Sequence, residues 1–193
     1  MGNLRVISGS AKGIRLKTVP GDTTRPITDV VKEALFNILG DEIQGAAVLD
    51  LFAGTGAVGI EALSRGAVRG VFLDLSPLAV KTIKENLSAA HLTAQAVVRR
   101  ADAFSYLNET PLPCFDLIYV APPQYKGLWE KALRLIDSRP EILSQSGQVI
   151  VQVNPLEWKD IPFTHLSEFD RRKYGDTLLV FLELRQLEND MIS

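Results

Sequence analysis

Apolar residues along this chain recur with two alternating periods, and the alternation predicts its architecture. Val31, Ala34, Leu35 and Ile38 share one helix face, with Thr28 placed to cap the start and Gly40 to stop the helix. From Ala47 onward, short apolar runs are followed by Gly- or Pro-marked turns and then by helical spacing. Ala47 to Phe52 reads as a buried strand, and the helix beyond the next glycines runs to Arg65 with Gly66 as its stop. Val71 to Leu73 (ending in Asp74), Gln95 to Arg99, Phe115 to Val120 and Gln148 to Val153 read as further strands. Pro77 opens a helix reaching about Ala89, and Leu128 to Asp137 is helical. Parallel strands need crossover helices, so this order predicts an α/β fold with a parallel sheet covered on both faces.

The two ends depart from that rhythm. Leu166 to Lys173 and Thr177 to Glu183 flank Tyr174-Gly175-Asp176, which predicts an antiparallel hairpin at the sheet edge and a mostly parallel seven-stranded sheet overall. The first 24 residues are rich in Gly and Lys, with turn signals at Ser8-Gly9-Ser10 and Pro20-Gly21-Asp22, and predict short strands and loops. We therefore divide the chain into an N-terminal basic arm or β extension over 1–27, packed on a main domain over 28–193. No internal repeat or low-complexity segment interrupts it.

Composition narrows the class. With 193 residues, 46% hydrophobic and 23% charged, the chain is an ordinary globular domain with a sizeable core. Its one cysteine, Cys114, cannot form an internal disulfide, which predicts a reducing compartment. No stretch has the length of a signal peptide or membrane span, so a cytoplasmic monomer is expected, or a plastid stromal one if a transit peptide has been removed. His91 and His165 are isolated and no metal is predicted. Trp129 and Trp158 read as packing residues.

A net charge of −2 argues against attraction of the whole molecule to nucleic acid. A local patch remains: Arg5, Lys12, Arg15 and Lys17 fall within twenty residues that hold no acid, and Arg25 and Lys32 extend it. Phosphate binding competes there with the plain reading of a solvated basic edge. Arg171-Arg172-Lys173 forms a second cluster, for which the solvated edge is the better reading.

The densest chemical signal is Asp50-Leu51-Phe52-Ala53-Gly54-Thr55-Gly56-Ala57-Val58-Gly59 between a strand and a helix. It satisfies the G-x-G-x-x-G spacing of dinucleotide sites, a weak pattern alone. Charge separates the alternatives. A carboxylate beside a helix N-terminus would repel a pyrophosphate, whereas Asp50 suits a cationic ligand group such as the amino group of a methionine moiety. Hydrogen-bonding of the glycine loop is its structural alternative. Asp50, Ala53, Gly54, Thr55 and Gly56 are thus candidate cofactor residues. Asp74, followed by Leu75, ends the second strand, where a carboxylate meets ribose hydroxyls. Asp102, followed by Ala103, is placed for an adenine amine or for capping a short helix. Three acids ending three successive strands lie where α/β sheets bind ligands.

The fourth strand leads into Ala121-Pro122-Pro123-Gln124-Tyr125-Lys126-Gly127-Leu128. Two prolines stiffen the backbone and remove two donors, leaving carbonyls free to face a pocket.

Together with Arg5-Val6-Ile7-Ser8-Gly9, Thr24-Arg25-Pro26-Ile27-Thr28-Asp29, Lys32-Glu33-Ala34-Leu35-Phe36 and Lys173-Tyr174-Gly175-Asp176, these motifs resemble the bacterial 16S rRNA guanine-N2 methyltransferases of the RsmD type. The resemblance covers nearly the whole chain. It implies a Rossmann-like domain dependent on S-adenosylmethionine (SAM), which methylates the exocyclic N2 of a guanine in small-subunit rRNA or an assembling 30S subunit. By the same resemblance Ala121, Pro122, Pro123, Gln124 and Tyr125 form the catalytic loop, and Arg5, Lys12, Arg15, Lys17 and Arg25 contact RNA. Such enzymes carry Asp-Pro-Pro followed by Tyr or Phe, so Ala121 and Gln124 are departures, and Val30 stands where Arg is common. Losing a charged acceptor costs about 1.5 to 3 kcal/mol, roughly ten- to hundredfold in rate. A catalytically weak SAM-binding assembly factor is therefore the competing expectation. A nicotinamide oxidoreductase is disfavoured by Asp50 and by the lack of a second domain.

Overall fold

The computed structural model describes residues 4–21 and 27–186. Its elements are α1 (Asp29–Leu39), β1 (Ala47–Asp50), α2 (Ala57–Ser64), β2 (Arg69–Asp74), α3 (Pro77–Ala89), β3 (Ala96–Arg100), α4 (Ala103–Leu107), β4 (Phe115–Val120), α5 (Leu128–Asp137), β5 (Leu143–Val153), β6 (Leu166–Tyr174) and β7 (Thr177–Leu184). The seven strands form one sheet in the order β3-β2-β1-β4-β5-β7-β6. The first five are parallel, while β7 runs antiparallel to β5 and to β6. A parallel sheet buried on both faces needs apolar residues at successive positions. Val48 and Phe72 accordingly pack with α1, α2 and α3 on one face, and Leu49 and Leu73 with α4 and α5 on the other. None of the described helices is long and apolar enough to cross a membrane.

Most element boundaries follow the pattern, and the exceptions have local causes. The first strand stops at Asp50 because the chain then changes partners: Leu51 N–H donates to Tyr119 O at 3.1 Å and Ala53 N–H to Leu73 O at 2.8 Å, carrying the backbone across into the glycine loop. The fifth strand begins at Leu143, five residues before the expected Gln148, through the polar stretch Ser144-Gln145-Ser146 that gives no strand signal. Its register with β4 shifts between Phe115 and Leu117. Thr28 caps α1 by accepting from Val31 N–H, and Gly40 ends it.

The N-terminal segment carries a single bridge, Arg5 to Arg15, in place of the expected short strands. It is nonetheless packed: Leu4, Val6, Ala11 and Leu16 join the core beneath α1, α2 and α3. A close approach at Gly9 fixes the path, since a Cβ there would stand 1.7 Å from the carbonyl oxygen of Ser64. Ser10 N–H donates to that same carbonyl at 2.8 Å.

A buried ionic cluster completes the joint and corrects one expectation. Lys32 does not extend the surface basic patch; it is fully buried, because it lies on the same helix face as Leu35, Phe36 and Leu39. Its ammonium is 3.3 Å from Glu61, also fully buried, and donates to Arg5 O. Glu61 further accepts from Ile7 N–H at 2.8 Å, Ser8 N–H at 2.9 Å and Arg65 Nε at 2.8 Å. Burial lowers the Lys32 pKa, and the Glu61 charge opposes that shift.

Candidate active site

The carboxyl ends of β1, β2 and β3, which are adjacent and parallel, bring the three predicted acids to one edge of the sheet. Asp50 is 2% exposed, and its Oδ1 has no hydrogen-bond partner among the described residues. Burial lifts its pKa to about 7; the Gly59 and Phe52 amides oppose the shift and the charge of Asp74 adds to it. A buried carboxylate oxygen without a donor is costly unless something supplies one, and a ligand ammonium would do so.

Asp74 uses one oxygen to accept from Gly54 N–H at 2.9 Å and the other from Ser76 N–H at 2.8 Å. Each oxygen keeps a lone pair for a ribose hydroxyl. Leu75, an apolar side chain left 61% exposed, stands beside it. Asp102 caps α4, its Oδ1 accepting from Ser105 N–H at 2.9 Å, while its Oδ2 has no partner among the described residues. Capping and ligand binding are therefore compatible there. Ala103 is buried against the same core as Leu73.

The loop of Ala53, Gly54, Thr55 and Gly56 runs between these acids, closed by Gly56 N–H donating to Ala53 O at 2.7 Å. Gly59 serves packing: a Cβ there would meet the Phe72 ring at 2.3 Å, so α2 can lie close on β2 only with glycine at this position. Sequence reasoning missed Asn86. It is 1% exposed, and its Nδ2 donates to Thr55 O at 2.9 Å and to Lys17 O at 3.0 Å, while its Oδ1 accepts from Lys17 N–H at 2.7 Å. One amide thus ties the glycine loop to the N-terminal arm. The signal was a polar residue on the buried stripe Ala79, Ile83, Leu87 of α3.

Beyond β4, Ala121 is half-buried and Pro122 buried, whereas Pro123, Gln124 and Tyr125 are exposed. Tyr125 has φ of 60°, a left-handed conformation unfavourable for a bulky side chain, and the residue is 67% exposed. Its N–H donates to Glu157 Oε2 at 2.6 Å. Glu157 lies in the connection after β5, a segment without periodic pattern, which is why sequence reasoning passed over it. Trp129 and Trp158 pack together with ring centroids 4.5 Å apart.

The basic residues do not all behave alike. Arg5 pairs with Asp29 at 3.3 Å and Lys17 with Glu85 at 2.8 Å. Lys12 and Arg15 make no ion pair among the described residues. Arg25 and the Thr-Arg-Pro segment around it lie outside the described residues. In the C-terminal cluster Arg171 is held by Asp160 and Glu168, and Arg172 by Asp170.

The chain is similar to known proteins over most of its length. A family model described as conserved hypothetical protein 95 matches residues 4–183. The Bacillus subtilis protein YlbH is 43% identical over 151 residues, covering 77% of this chain and 82% of its own length. The Escherichia coli protein named ribosomal RNA small subunit methyltransferase D is 35% identical over 136 residues, 70% of this chain and 68% of that protein. Among solved structures, the Escherichia coli protein yhhF superposes with a TM-score of 0.83 at 28% identity, covering 95% of this chain and 98% of its own. With the family model spanning nearly the whole chain, this protein belongs to the conserved hypothetical protein 95 family, the family of ribosomal RNA small subunit methyltransferase D.

Proposed function

We propose that this protein transfers a methyl group from SAM to the exocyclic N2 of a guanine in small-subunit rRNA. The observation that carries the cofactor is the unpartnered, buried Oδ1 of Asp50 beside the glycine loop. Asp50 would hold the amino group, the main chain of Ala53 to Gly56 the remainder of the methionine moiety, Asp74 the ribose hydroxyls, and Leu75, Asp102 and Ala103 the adenine. When bound, SAM supplies an electrophilic methyl group. The substrate follows from the family and from its member named as a small-subunit rRNA methyltransferase.

The chain's own work is to position a poor nucleophile. A guanine amine delocalises its lone pair into the ring, and acceptors for its protons localise that pair for attack. Pro122 and Pro123 donate no N–H, so carbonyls of this loop stay available as acceptors. Gln124 offers a side-chain carbonyl, and the exposed ring of Tyr125 a stacking face for an extruded base. Replacing Gln124 by Ala should lower kcat about tenfold with SAM affinity unchanged, the loss of one hydrogen bond made in the transition state. Full turnover in that variant would remove Gln124 from the mechanism.

Arg5, Lys12, Arg15, Lys17 and Arg25 are the proposed phosphate contacts, with Lys12 and Arg15 the ones without a counter-ion among the described residues. Replacing Lys12 or Arg15 by Ala should weaken RNA binding and reduce the slope of log affinity against log salt by about 1 each. An unchanged slope would place the RNA elsewhere. Ala121, which carries no acid, favours one second reading, a SAM-binding rRNA assembly factor. Label transfer from SAM to undermethylated small-subunit rRNA or subunits decides between them: labelled RNA supports the enzyme, and intact SAM binding without transfer supports the factor.

A further inference from the structure

The loop Ala121-Pro122-Pro123-Gln124-Tyr125 contains no carboxylate of its own. Among the described residues one carboxylate reaches it, Glu157, through the 2.6 Å hydrogen bond from Tyr125 N–H. The contact falls at the residue whose backbone most needs support. A tyrosine at φ of 60° returns readily to ordinary conformations unless something holds it. A charge-assisted hydrogen bond to its N–H does that.

Glu157 is itself fixed from several sides. Directly after β5, Leu156 N–H donates to Asn154 Oδ1 at 2.9 Å and Glu157 N–H to Asn154 O at 2.9 Å, which closes a tight turn. The next two residues dock on α5, the helix that follows the loop: Trp158 packs on Trp129, and Lys159 pairs with Glu130 at 2.7 Å. The brace therefore rests on the same helix that anchors the far end of the loop. Since β4 and β5 are neighbours and parallel, both segments leave the sheet at its same edge, the one where β1 and β2 end in Asp50 and Asp74. Glu157 Oε1 is buried and has no partner among the described residues, so the Tyr125 amide is the group that defines where this side chain points.

We propose that Glu157 is the positioning residue of the methyl-transfer loop, holding Tyr125 in its left-handed conformation and thereby fixing Pro122 to Gln124 toward the methyl donor. The inference rests on the methyl-transfer reading above. It assigns Glu157 no contact with either substrate.

The test compares Glu157→Ala with Glu157→Gln in the full chain. Misplacing reacting groups by an ångström costs up to about a hundredfold, and we expect Glu157→Ala to lower kcat about tenfold or more with SAM affinity and Tm unchanged. Glu157→Gln keeps an oxygen that accepts from Tyr125 N–H and should recover most of the turnover. Hydrogen exchange at the Tyr125 amide gives a readout independent of activity: slow in the wild type and in Glu157→Gln, fast in Glu157→Ala. Wild-type turnover in Glu157→Ala, or a Glu157→Gln as slow as Glu157→Ala, would overturn the assignment. So would a Tyr125 amide that exchanges fast in the wild type. A wild-type protein that protects this amide but transfers no methyl group would instead defeat the proposed function and leave the contact standing.

Discussion

Replacing Glu61 by Ala should destabilise the protein by about 3 to 5 kcal/mol, the cost of stranding a buried charge. For a domain of this size that lowers Tm by roughly 10 °C. The effect is large because four donors converge on one fully buried carboxylate: the Lys32 ammonium, Arg65 Nε, and the backbone N–H groups of Ile7 and Ser8. Removing the carboxylate leaves the Ile7 and Ser8 amides without an acceptor and the buried Lys32 ammonium without its counter-charge, with Arg5 O as its remaining partner. The N-terminal segment should then loosen, which faster cleavage in limited proteolysis near residues 5–10 would report. Glu85→Ala, which breaks the exposed pair with Lys17, is the control and should leave Tm unchanged. Thermal denaturation followed by circular dichroism checks both. Equal Tm values for Glu61→Ala and Glu85→Ala would contradict the cluster's role.

Asp50→Asn should weaken SAM binding about ten- to hundredfold, the loss of a charge-assisted hydrogen bond. The same residue makes binding depend on pH. In the folded protein its pKa is lifted to about 7, whereas an unfolded chain releases that proton near the ordinary carboxylate value of about 4. Between those values the folded state binds more protons, so the stability of the ligand-free protein falls as pH rises through that window. A ligand cation favours the ionised form and reverses the balance. SAM affinity should therefore rise from about pH 6 to pH 8, with release of a proton on binding in the lower part of that range. Calorimetry in buffers of different ionisation enthalpy measures the proton count. In Asp50→Asn both dependences should flatten; an unchanged pH profile would show that another group titrates.

The fold was legible wherever periodicity and turn residues agreed. β4 and α5 match their predicted limits because Leu117 to Val120 form an apolar run that stops at the two prolines after Ala121, and Gly127 marks the helix start at φ of 62°. The three acids were legible because strand ends are the places where such sheets bind ligands. What escaped was polar chemistry folded into apolar surroundings. Lys32 counts as a cation in any charge tally, yet its helical spacing from Leu35 and Phe36 places it inside. Asn86 was hidden the same way, on the buried stripe of α3. Glu157 escaped for a different reason: its role comes from tertiary contact between two loops that are 32 residues apart, and no local pattern encodes such a contact.

The proposed function requires that an Ala-Pro-Pro-Gln loop methylate a guanine amine. Its most direct test is the identity of the product: methylated small-subunit rRNA digested to nucleosides and resolved by chromatography with mass detection. N2-methylguanosine should be the one new modified nucleoside. A methyl group found on a ring nitrogen, on ribose or on another base would contradict it.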